Sequence, residues 1–252
     1  MSWSTSGIAV YDGVPVDHLC VEAGAVRVIA CERCGSTMDV AHELAAAGAA
    51  HGTVIVAEQQ ESGRGRTGKS WASPRGSGVW TSVILRPPTA ARHSVLSLRI
   101  GLELAARLDP YAAASVQLKW PNDLFIDGRK LAGILTEARW RGDQLEWIVV
   151  GVGVNVRPTA LDTPAASLGA TATCASVLVA VVQAVLAAPV AHDALSVEDV
   201  TRYAARDLAV GREIIAPLVG TVHGITDGGG LLVRTVDGDA VAVAGSLVFR
   251  TL

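Results

Sequence analysis

Charged residues are scarce in this chain, and neither sign dominates among those present. Asp, Glu, Lys and Arg make up 18% of the 252 residues, against about 25% in average soluble proteins. The 21 Lys and Arg residues and the 24 Asp and Glu residues leave a net charge of -3, so no general basic surface for nucleic acid or anionic lipid is expected. Half of the residues are hydrophobic, which excludes an intrinsically disordered chain. Any site for a polyanion must therefore be local.

A targeting signal and a strongly apolar run are also missing. The N-terminus has no basic residues followed by an apolar stretch, so no secretory signal is predicted and a cytoplasmic location is expected. The most membrane-like stretch, Ala172–Ala191, is rich in alanine and contains Gln183 and Pro189. A bilayer span needs about 20 strongly apolar residues. This stretch is therefore predicted to be a buried helix, and no membrane partner is expected.

Four cysteines, Cys20, Cys31, Cys34 and Cys174, are too few for a disulfide scaffold in a chain of this length and agree with a reducing compartment. Cys31 and Cys34 form a C-x-x-C pair, a pattern found in redox centres and zinc sites. No second cysteine pair and no histidine cluster supplies the other two ligands of a tetrahedral zinc ion. Neither a metal nor a redox role is therefore predicted for the pair.

Apolar runs and helical periodicities follow one another in irregular order along the chain. Short β-branched runs predict strands, and apolar residues at helical spacing predict helices. The predicted strands are Val26–Ala30, Thr53–Ala57, Val79–Leu85, Ser115–Lys119, Leu124–Ile126, Lys130–Ala138 and Gln144–Val156. The predicted helices run from a Ser36-Thr37 N-cap to near Gly48 and over His93–Leu108, Thr173–Ala188 and Val197–Leu208.

The last four of those strands are separated only by tight turns, which predicts a meander of antiparallel strands. After Gly211, short strands alternate with glycine-rich turns, as expected for a small separate barrel. The mixed order favours an α+β main domain over a doubly wound parallel one. We therefore expect a short N-terminal extension (1–25), a main domain (26–209) and a small C-terminal β-barrel domain (210–252).

The loop Gly63–Pro74 matches two phosphate-binding patterns, G-x-G-x-x-G and the P-loop pattern G-x-x-x-x-G-K-S. In a P-loop hydrolase, Lys69 would carry catalysis. Both patterns need a helix directly after the loop, because its N-terminal N–H groups hold the phosphates. Pro74 and two further glycines follow before the strand at Val79, so neither nucleotide-binding loop is predicted.

Three cations, Arg64, Arg66 and Lys69, lie within six residues of the same loop. Glycines make the chain around them mobile, and ordering each residue costs about 1–2 kcal/mol. An anion that accepts charge-assisted hydrogen bonds offsets this cost, and the planar fork of arginine suits such an anion. The loop is therefore predicted to close over an anionic ligand.

Two further segments carry polar groups at strand ends. Pro121 cannot donate a ladder hydrogen bond, so the strand before it is expected to break and leave Lys119 at a rim where it can reach a ligand. In Val150–Asn155, two glycines interrupt an apolar strand, which indicates that something approaches its backbone closely. A half-buried Asn155 amide needs partners, and its donor and acceptor match one edge of a purine.

Together these segments resemble the biotin–protein ligase family. The resemblance rests on Gly63-Arg-Gly-Arg-Thr-Gly-Lys-Ser-Trp71 with Ser73-Pro74, Lys119-Trp-Pro-Asn-Asp123, Lys130-Leu-Ala-Gly-Ile-Leu-Thr-Glu137 and Gly151-Val-Gly-Val-Asn155, in the family's order and spacing from about Val26 onwards. It implies a mixed-sheet catalytic domain of the class II synthetase and biotin/lipoyl ligase type, followed by a small Src-homology-3-like barrel.

The resemblance also implies the reaction. The biotin carboxylate attacks the α-phosphate of MgATP to give biotinyl-5′-AMP and pyrophosphate, and a lysine of a biotin carboxyl carrier domain then takes the biotinyl group. Family members that repress transcription carry an N-terminal helix-turn-helix. The residues before Val26 contain no Lys or Arg and are too few for such a reader, so a ligase-only type without a nucleic-acid partner is expected.

By resemblance, each site residue receives an expected role. The catalytic residues are Lys119, Arg66 and Arg64. The biotin-binding residues are Ser36, Thr37 and Gln60 at the ureido end, Gly133 and Ile134 around the ring and chain, and Arg64 and Lys119 at the carboxylate. The adenylate-binding residues are Gly63, Gly65, Arg66, Trp71, Lys119 and Asn155, with Asn155 reading adenine. No protein ligand for Mg²⁺ is expected, and Met38 stands where many members have Asn.

Besides the P-loop hydrolase, two other functions stay open as alternatives for the same residues. A lipoate–protein ligase shares the architecture but recognises an acyl chain without a ureido ring, and the polar Ser36, Thr37 and Gln60 favour biotin over lipoate. A biotin-responsive regulator that binds DNA is the second, and the lack of an N-terminal reader disfavours it.

Overall fold

The computed structural model describes residues 7–87, 94–159, 165–190 and 192–250. Its strands are β1 (Val10–Tyr11), β2 (Val14–Pro15), β3 (Arg27–Cys34), β4 (Thr53–Gln60), β5 (Gly78–Leu85), β6 (Gln117–Lys119), β7 (Asp123–Ile126), β8 (Arg129–Arg141), β9 (Gln144–Asn155), β10 (Glu213–Ala216), β11 (Gly220–Ile225), β12 (Leu231–Thr235), β13 (Gly238–Ala242) and β14 (Val248–Phe249). Its α-helices are α1 (Val16–Ala23), α2 (Thr37–Ala46), α3 (Leu96–Leu108), α4 (Cys174–Ala187) and α5 (Val197–Ala204). His93 and Ala191, at the ends of two predicted segments, lie outside the described residues.

Seven strands form the main sheet in the order β3-β4-β5-β9-β8-β7-β6. Strands β3 and β4 are parallel, and the other neighbouring pairs are antiparallel. Because β6 to β9 pair in sequence order, the predicted meander and the α+β class are confirmed. The antiparallel sheet β13-β12-β11-β10-β14 agrees with a small C-terminal β domain, and the domain limits stay a prediction.

Helices cover both faces of the main sheet. In the interior strand β5, Val83 and Leu85 belong to the large core packed with α3 and α4, whereas Ile84 belongs to a second core under α2. Successive side chains of a strand point to opposite faces, so β5 is buried along its whole length. The hairpin β1–β2 and α1 precede the sheet, and Leu19 of α1 joins the large core.

The alanine-rich segment forms the helix α4, which is buried along most of its length as predicted. It packs against α3, α1 and β5. A Thr173–Ser176 capping box fixes its first turn. Within the described ranges, no helix is long and apolar enough to cross a membrane.

Several boundaries differ from the prediction, and backbone pairing fixes the clearest of them. Strand β3 continues from its predicted end at Ala30 to Cys34, and β8 continues from Ala138 to Arg141. Strand β4 continues beyond its predicted end to Gln60, since its parallel ladder with β3 pairs Gln60 with Cys34. Helix α5 ends at Ala204, before its predicted end, because the Leu208 N–H donates to the carbonyl oxygen of Leu118 on β6. Polarity of side chains alone did not indicate either pairing.

One end of the main sheet gathers the segments that carry the predicted motifs. Strand β4 ends there at Gln60, and the antiparallel β5 begins there at Gly78. Strand β9 ends at the same side with Asn155. Strand β6 runs opposite to β9, and its last residue, Lys119, lies near that end because it pairs with Asp123, which pairs with Gly133 of β8. Helix α2 also begins there, with Ser36 as its N-cap. The fold therefore brings all of these segments to one edge.

Candidate functional site

A cleft lies at this end of the main sheet, and most of the predicted site residues line it. The predicted residues that line it are Ser36, Thr37, Gln60, Arg64, Gly65, Arg66, Trp71, Gly133 and Ile134. Gly63, Lys119 and Asn155 are not among the lining residues. Several lining residues had no predicted role, among them Asn122, Asp123, Lys130 and Ser246. Lys69, predicted as a cation of the basic loop, and the β9 glycines Gly151 and Gly153 also line the cleft.

The inner end of the cleft is a neutral, hydrogen-bonded polar group. The Gln60 Oε1 atom accepts hydrogen bonds from the Thr37 N–H (2.9 Å) and the Thr37 hydroxyl (3.1 Å). The Gln60 Nε2 atom donates to the Ser73 hydroxyl at 2.8 Å, and the Ser82 hydroxyl donates to Thr37 Oγ1 at 2.8 Å. Ser36 and Thr37 are almost fully buried. These mutual bonds fix the orientation of each group before a ligand binds.

Gly63 allows the chain to pack closely against this polar group. A Cβ atom at this position would lie 2.5 Å from the Trp71 carbonyl oxygen and 2.9 Å from Gln60 Nε2. The first glycine of the loop therefore serves close packing around Gln60, and it does not face the cleft.

Two glycines opposite one another form a flat floor in the middle of the cleft. Gly133 of β8 and Gly153 of β9 are paired in the ladder. The Trp71 indole lies on them, because a Cβ at Gly153 would come within 2.6 Å of the ring and one at Gly133 within 3.0 Å. The predicted close approach to the β9 backbone is thus made by a side chain of the protein. The Trp71 Nε1 atom is buried and has no hydrogen-bond partner among the described residues.

An ion pair borders the same floor. The Lys130 ammonium lies 2.7 Å from the Asp123 carboxylate and 5.0 Å from the centre of a Trp71 ring. Both Lys130 and Asp123 belong to segments that carry the resemblance, and this membership was the one signal for them in the sequence. Asn155 Nδ2 donates to the Lys130 carbonyl oxygen at 3.3 Å. The role of Asn155 toward adenine stays a prediction.

Lys119 lies beside the cleft, at the end of β6. Its Cα partner across the β6–β7 ladder is Asp123, which does line the cleft. The ammonium lies 5.4 Å from the Phe125 ring centre and 5.3 Å from the Phe249 ring centre. Burial lowers the pKa of Lys119, and the nearby Lys130 contributes in the same direction. The predicted position at a rim agrees with this placement.

The basic loop crosses the mouth of the cleft, and its arginines have protein partners. Arg66 donates to Asn122 Oδ1 (3.1 Å) and to the Gly245 carbonyl oxygen (3.2 Å), so it joins the β6–β7 turn to the C-terminal sheet. Arg64 contacts Asp39 of α2 at 2.5 Å and Glu137 of β8 at 3.4 Å. The sequence predicted an external anion as the partner of these arginines, whereas the structure gives both of them partners within the protein.

The same loop lacks the helix that a P-loop requires. Residues 71–77 are irregular and lead directly into β5, and the loop's own helical segment is a single 3₁₀ turn at Arg66–Gly68. Over the described residues 63–87, therefore, no α-helix presents its N-terminus to a phosphate. Lys69 lines the cleft from this irregular segment.

Known proteins are similar to this chain in sequence and in structure. The family model described as "Biotin/lipoate A/B protein ligase family" matches residues 30–155. A bifunctional ligase/repressor of Bacillus subtilis is 39% identical over 130 residues, 51% of this chain and 40% of that protein. A biotin–[acetyl-CoA-carboxylase] ligase of Mycobacterium tuberculosis is 40% identical over 125 residues, 46% of this chain and 45% of that protein.

Among solved structures, the biotin protein ligase of Aquifex aeolicus in complex with biotin and ATP has a TM-score of 0.73 and 25% identity to this chain. That similarity covers 89% of this chain and 99% of that one. By contrast, the matched region spans less than half the length of the two curated relatives named above.

Proposed function

Because the chain belongs to the biotin/lipoate A/B protein ligase family, we propose that it is an ATP-dependent biotin–protein ligase. Its substrates are biotin and MgATP, and its protein partner is a biotin carboxyl carrier domain. The relatives named above include a biotin–[acetyl-CoA-carboxylase] ligase and a ligase solved with biotin and ATP, which supports this choice.

One observation carries the proposal: the cleft has a neutral polar end and a cationic end. The neutral end, built from Ser36, Thr37 and Gln60, offers donors and acceptors that suit the ureido group of biotin. At the other end, Arg66, Lys69 and Lys130 line the cleft, and Lys119 lies beside it. The distribution of charge therefore matches a molecule with a neutral ring at one end and a carboxylate at the other.

In the first step, a carboxylate oxygen of biotin attacks the α-phosphorus of ATP. The new P–O bond forms as the bond to pyrophosphate breaks, and negative charge gathers on the phosphoryl oxygens. Cations held by the loop and by β6 lower the barrier because they stabilise this charge in a partly water-free site. We assign this role to Arg64, Arg66 and Lys119.

In the second step, the amine of the acceptor lysine attacks the acyl carbon of biotinyl-5′-AMP. The C–N bond of the amide forms, the C–O bond to AMP breaks, and the amine loses a proton. The loop over the cleft protects the mixed anhydride from water until the carrier domain arrives. Trp71, on its floor of glycines, is the proposed contact of the nucleotide, and its buried N–H offers one donor.

Mg²⁺ enters this scheme as part of the MgATP substrate. Among the described residues, no group of three or more His, Cys, Asp or Glu side chains could hold a metal ion. Mg²⁺ commonly binds through substrate phosphates and water. We therefore assign the ion to the ATP phosphates and to water.

The test is direct incubation of the purified protein with biotin, MgATP and a biotin carboxyl carrier domain. The expected products are biotinyl-5′-AMP, seen by chromatography without the carrier domain, and a carrier domain heavier by one biotinyl group in mass spectrometry. A carrier domain with its acceptor lysine replaced by arginine is the control. Lipoate in place of biotin is the second arm, and activation of lipoate alone would overturn the substrate assignment.

A further inference from the structure

Four side chains from three elements form a connected network around Arg64. The Arg64 guanidinium contacts Asp39 through Nη1 and Glu137 through Nη2. His42 Nε2 lies 3.0 Å from the same Glu137 oxygen, and Trp147 Nε1 lies 3.0 Å from His42 Nδ1. This chain of contacts runs from the core under α2 to the mouth of the cleft.

The direction of these hydrogen bonds follows from the chemistry of the indole. An indole N–H can only donate, so His42 Nδ1 must accept from Trp147. The ring proton of His42 is then on Nε2, where it points at Glu137. This bond and the Arg64 guanidinium hold the pKa of Glu137 below its ordinary value, so the carboxylate is charged and fixed in place.

Asp39 differs from Glu137 in how it is held. Its side chain is 53% exposed, against 36% for Glu137. Among the described residues, Arg64 is the one basic side chain that pairs with Asp39, whereas Glu137 has a second partner in His42. Asp39 can therefore leave Arg64 by a side-chain rotation into solvent, but Glu137 cannot leave without breaking its bond to His42.

We propose that Asp39 is an internal counter-ion of Arg64 that a substrate oxyanion displaces, and that Glu137, fixed by His42 and Trp147, is a positioning residue that keeps the guanidinium at the cleft. When Asp39 leaves, Nη1 is free for the oxyanion while Nη2 stays on Glu137. The oxyanion is the biotin carboxylate or an ATP phosphate. This inference rests on the proposed function, because it assumes that Arg64 meets one of these two groups.

The two carboxylates should therefore act in opposite directions on affinity. Asp39→Asn removes a competitor for Arg64. Because exposed ion pairs are weak, we expect the dissociation constant of the ligand that carries the displacing oxyanion to fall about threefold. Glu137→Ala releases the guanidinium, and loss of a charge-assisted contact should raise the dissociation constant about tenfold. Glu137→Gln keeps the acceptor oxygen and should fall between the wild type and Glu137→Ala.

Isothermal titration calorimetry of the full chain tests this with three probes. Biotin carries the carboxylate, biotinamide is its neutral counterpart, and inorganic pyrophosphate reports a phosphate-type contact. If the carboxylate is the displacing group, Asp39→Asn tightens biotin and leaves biotinamide unchanged. If a phosphate is the displacing group, it tightens pyrophosphate instead. Asp239→Asn is the matched control, because Asp239 is 48% exposed and pairs with Arg234 in the C-terminal sheet.

A double-mutant cycle with Arg64→Ala separates this role from a general structural one. Both effects should vanish in the Arg64→Ala background if they act through the guanidinium. Equal signs for Asp39→Asn and Glu137→Ala, or effects that persist without Arg64, would overturn the inference even if the protein makes biotinyl-5′-AMP. A protein that binds pyrophosphate with the expected Asp39 effect but does not bind biotin would instead contradict the proposed function. Binding of none of the probes would overturn both.

Discussion

The ammonium of Lys119 lies 5.3 Å from the centre of the Phe249 ring, so the end of β6 in the main sheet meets the last strand of the C-terminal sheet. The same ammonium lies 5.4 Å from the centre of the Phe125 ring. Arg212 also lies over the Phe249 ring, 3.4 Å from its centre. The C-terminal sheet thus forms part of the immediate surroundings of the lysine that we propose to be catalytic.

We expect Phe249→Leu to slow adenylate formation about tenfold. The substitution removes a ring face that holds the ammonium. Cation–π contacts contribute about 0.5–1 kcal/mol when exposed and about 2 kcal/mol when desolvated, and a value between them for the half-buried Lys119, about 1.4 kcal/mol, is a factor of ten. The quantity to measure is the single-turnover rate of biotinyl-5′-AMP formation at saturating substrates. Phe249→Tyr keeps the ring and should keep the rate. An unchanged rate in Phe249→Leu would show that this contact does not position Lys119.

The lowered pKa of Lys119 predicts an alkaline limit to the first step. Because the charged form stabilises the transition state and burial disfavours that form, the rate should fall as pH rises through a pKa below the ordinary lysine value of about 10.4. Lys119→Arg replaces the titrating group by one that stays protonated. We expect this variant to be slower at neutral pH but to lose the alkaline fall. A pH profile of the single-turnover rate that is the same in both proteins would contradict the assignment.

The glycine floor predicts a steric effect on Trp71. In Gly153→Ala, the new Cβ would lie 2.6 Å from the indole, so the ring must move, whereas in Gly133→Ala the closest ring atom is 3.0 Å away. We expect the KM for ATP to rise about tenfold in Gly153→Ala and less in Gly133→Ala. A tenfold rise corresponds to the loss of about 1.4 kcal/mol of binding free energy, as expected for one misplaced contact.

The control for the floor is Gly228→Ala, because a Cβ there would meet the Thr226 hydroxyl at 3.8 Å, an ordinary contact. Steady-state kinetics with ATP as the varied substrate is the measurement. Circular dichroism checks that each variant folds. A KM for ATP that does not respond to Gly153→Ala would place the nucleotide away from Trp71.

The sequence could indicate the segments of the site but not the contacts between them. The motifs around Arg66, Lys119 and Gly153 were found because their residue types are unusual for a loop end or an apolar strand. By contrast, the contact between Phe249 and Lys119 joins residues far apart in the chain, and no local pattern marks it. The same holds for His42 and Trp147, which meet only because α2 packs on β9.

The sheet was predictable for a similar reason. Apolar runs and turn residues marked β6 to β9, in which each strand pairs with its neighbour in the sequence. The pairing of β5 with β9 joins strands that lie far apart in the chain, and no local pattern marked it. The polar end of β4 was placed in a loop, because its ladder with β3 depends on a partner that precedes it by a whole helix. Lys130 and Asp123 were quoted in the motifs without a role, since their ion pair becomes visible only when β7 and β8 are side by side.

A buried carboxyl group predicts how stability depends on pH. Asp207 lies after α5, one of its oxygens accepts from the Ala209 N–H, and the other has no partner among the described residues. Burial raises the pKa of Asp207 to about 6. The folded protein therefore binds this proton more tightly than the unfolded chain, and the free energy of unfolding should fall as pH rises from about 4 to about 6.

Above pH 6, the charged Asp207 should cost about 2–3 kcal/mol of stability, and Asp207→Asn should recover much of it. At pH 4 the carboxyl group is protonated in the folded protein and about half protonated in the unfolded chain, where its pKa is about 3.9, so the variant and the wild type should differ little in stability. Urea unfolding of both proteins at pH 4, 5, 6 and 7 measures this difference directly.

The control is Tyr203→Phe, because the nearby Tyr203 hydroxyl is also buried without a described partner. This substitution changes polarity without changing charge, so its effect on stability should not depend on pH. A stability difference between Asp207→Asn and the wild type that is the same at pH 4 and pH 7 would mean that the carboxylate is solvated in the folded protein.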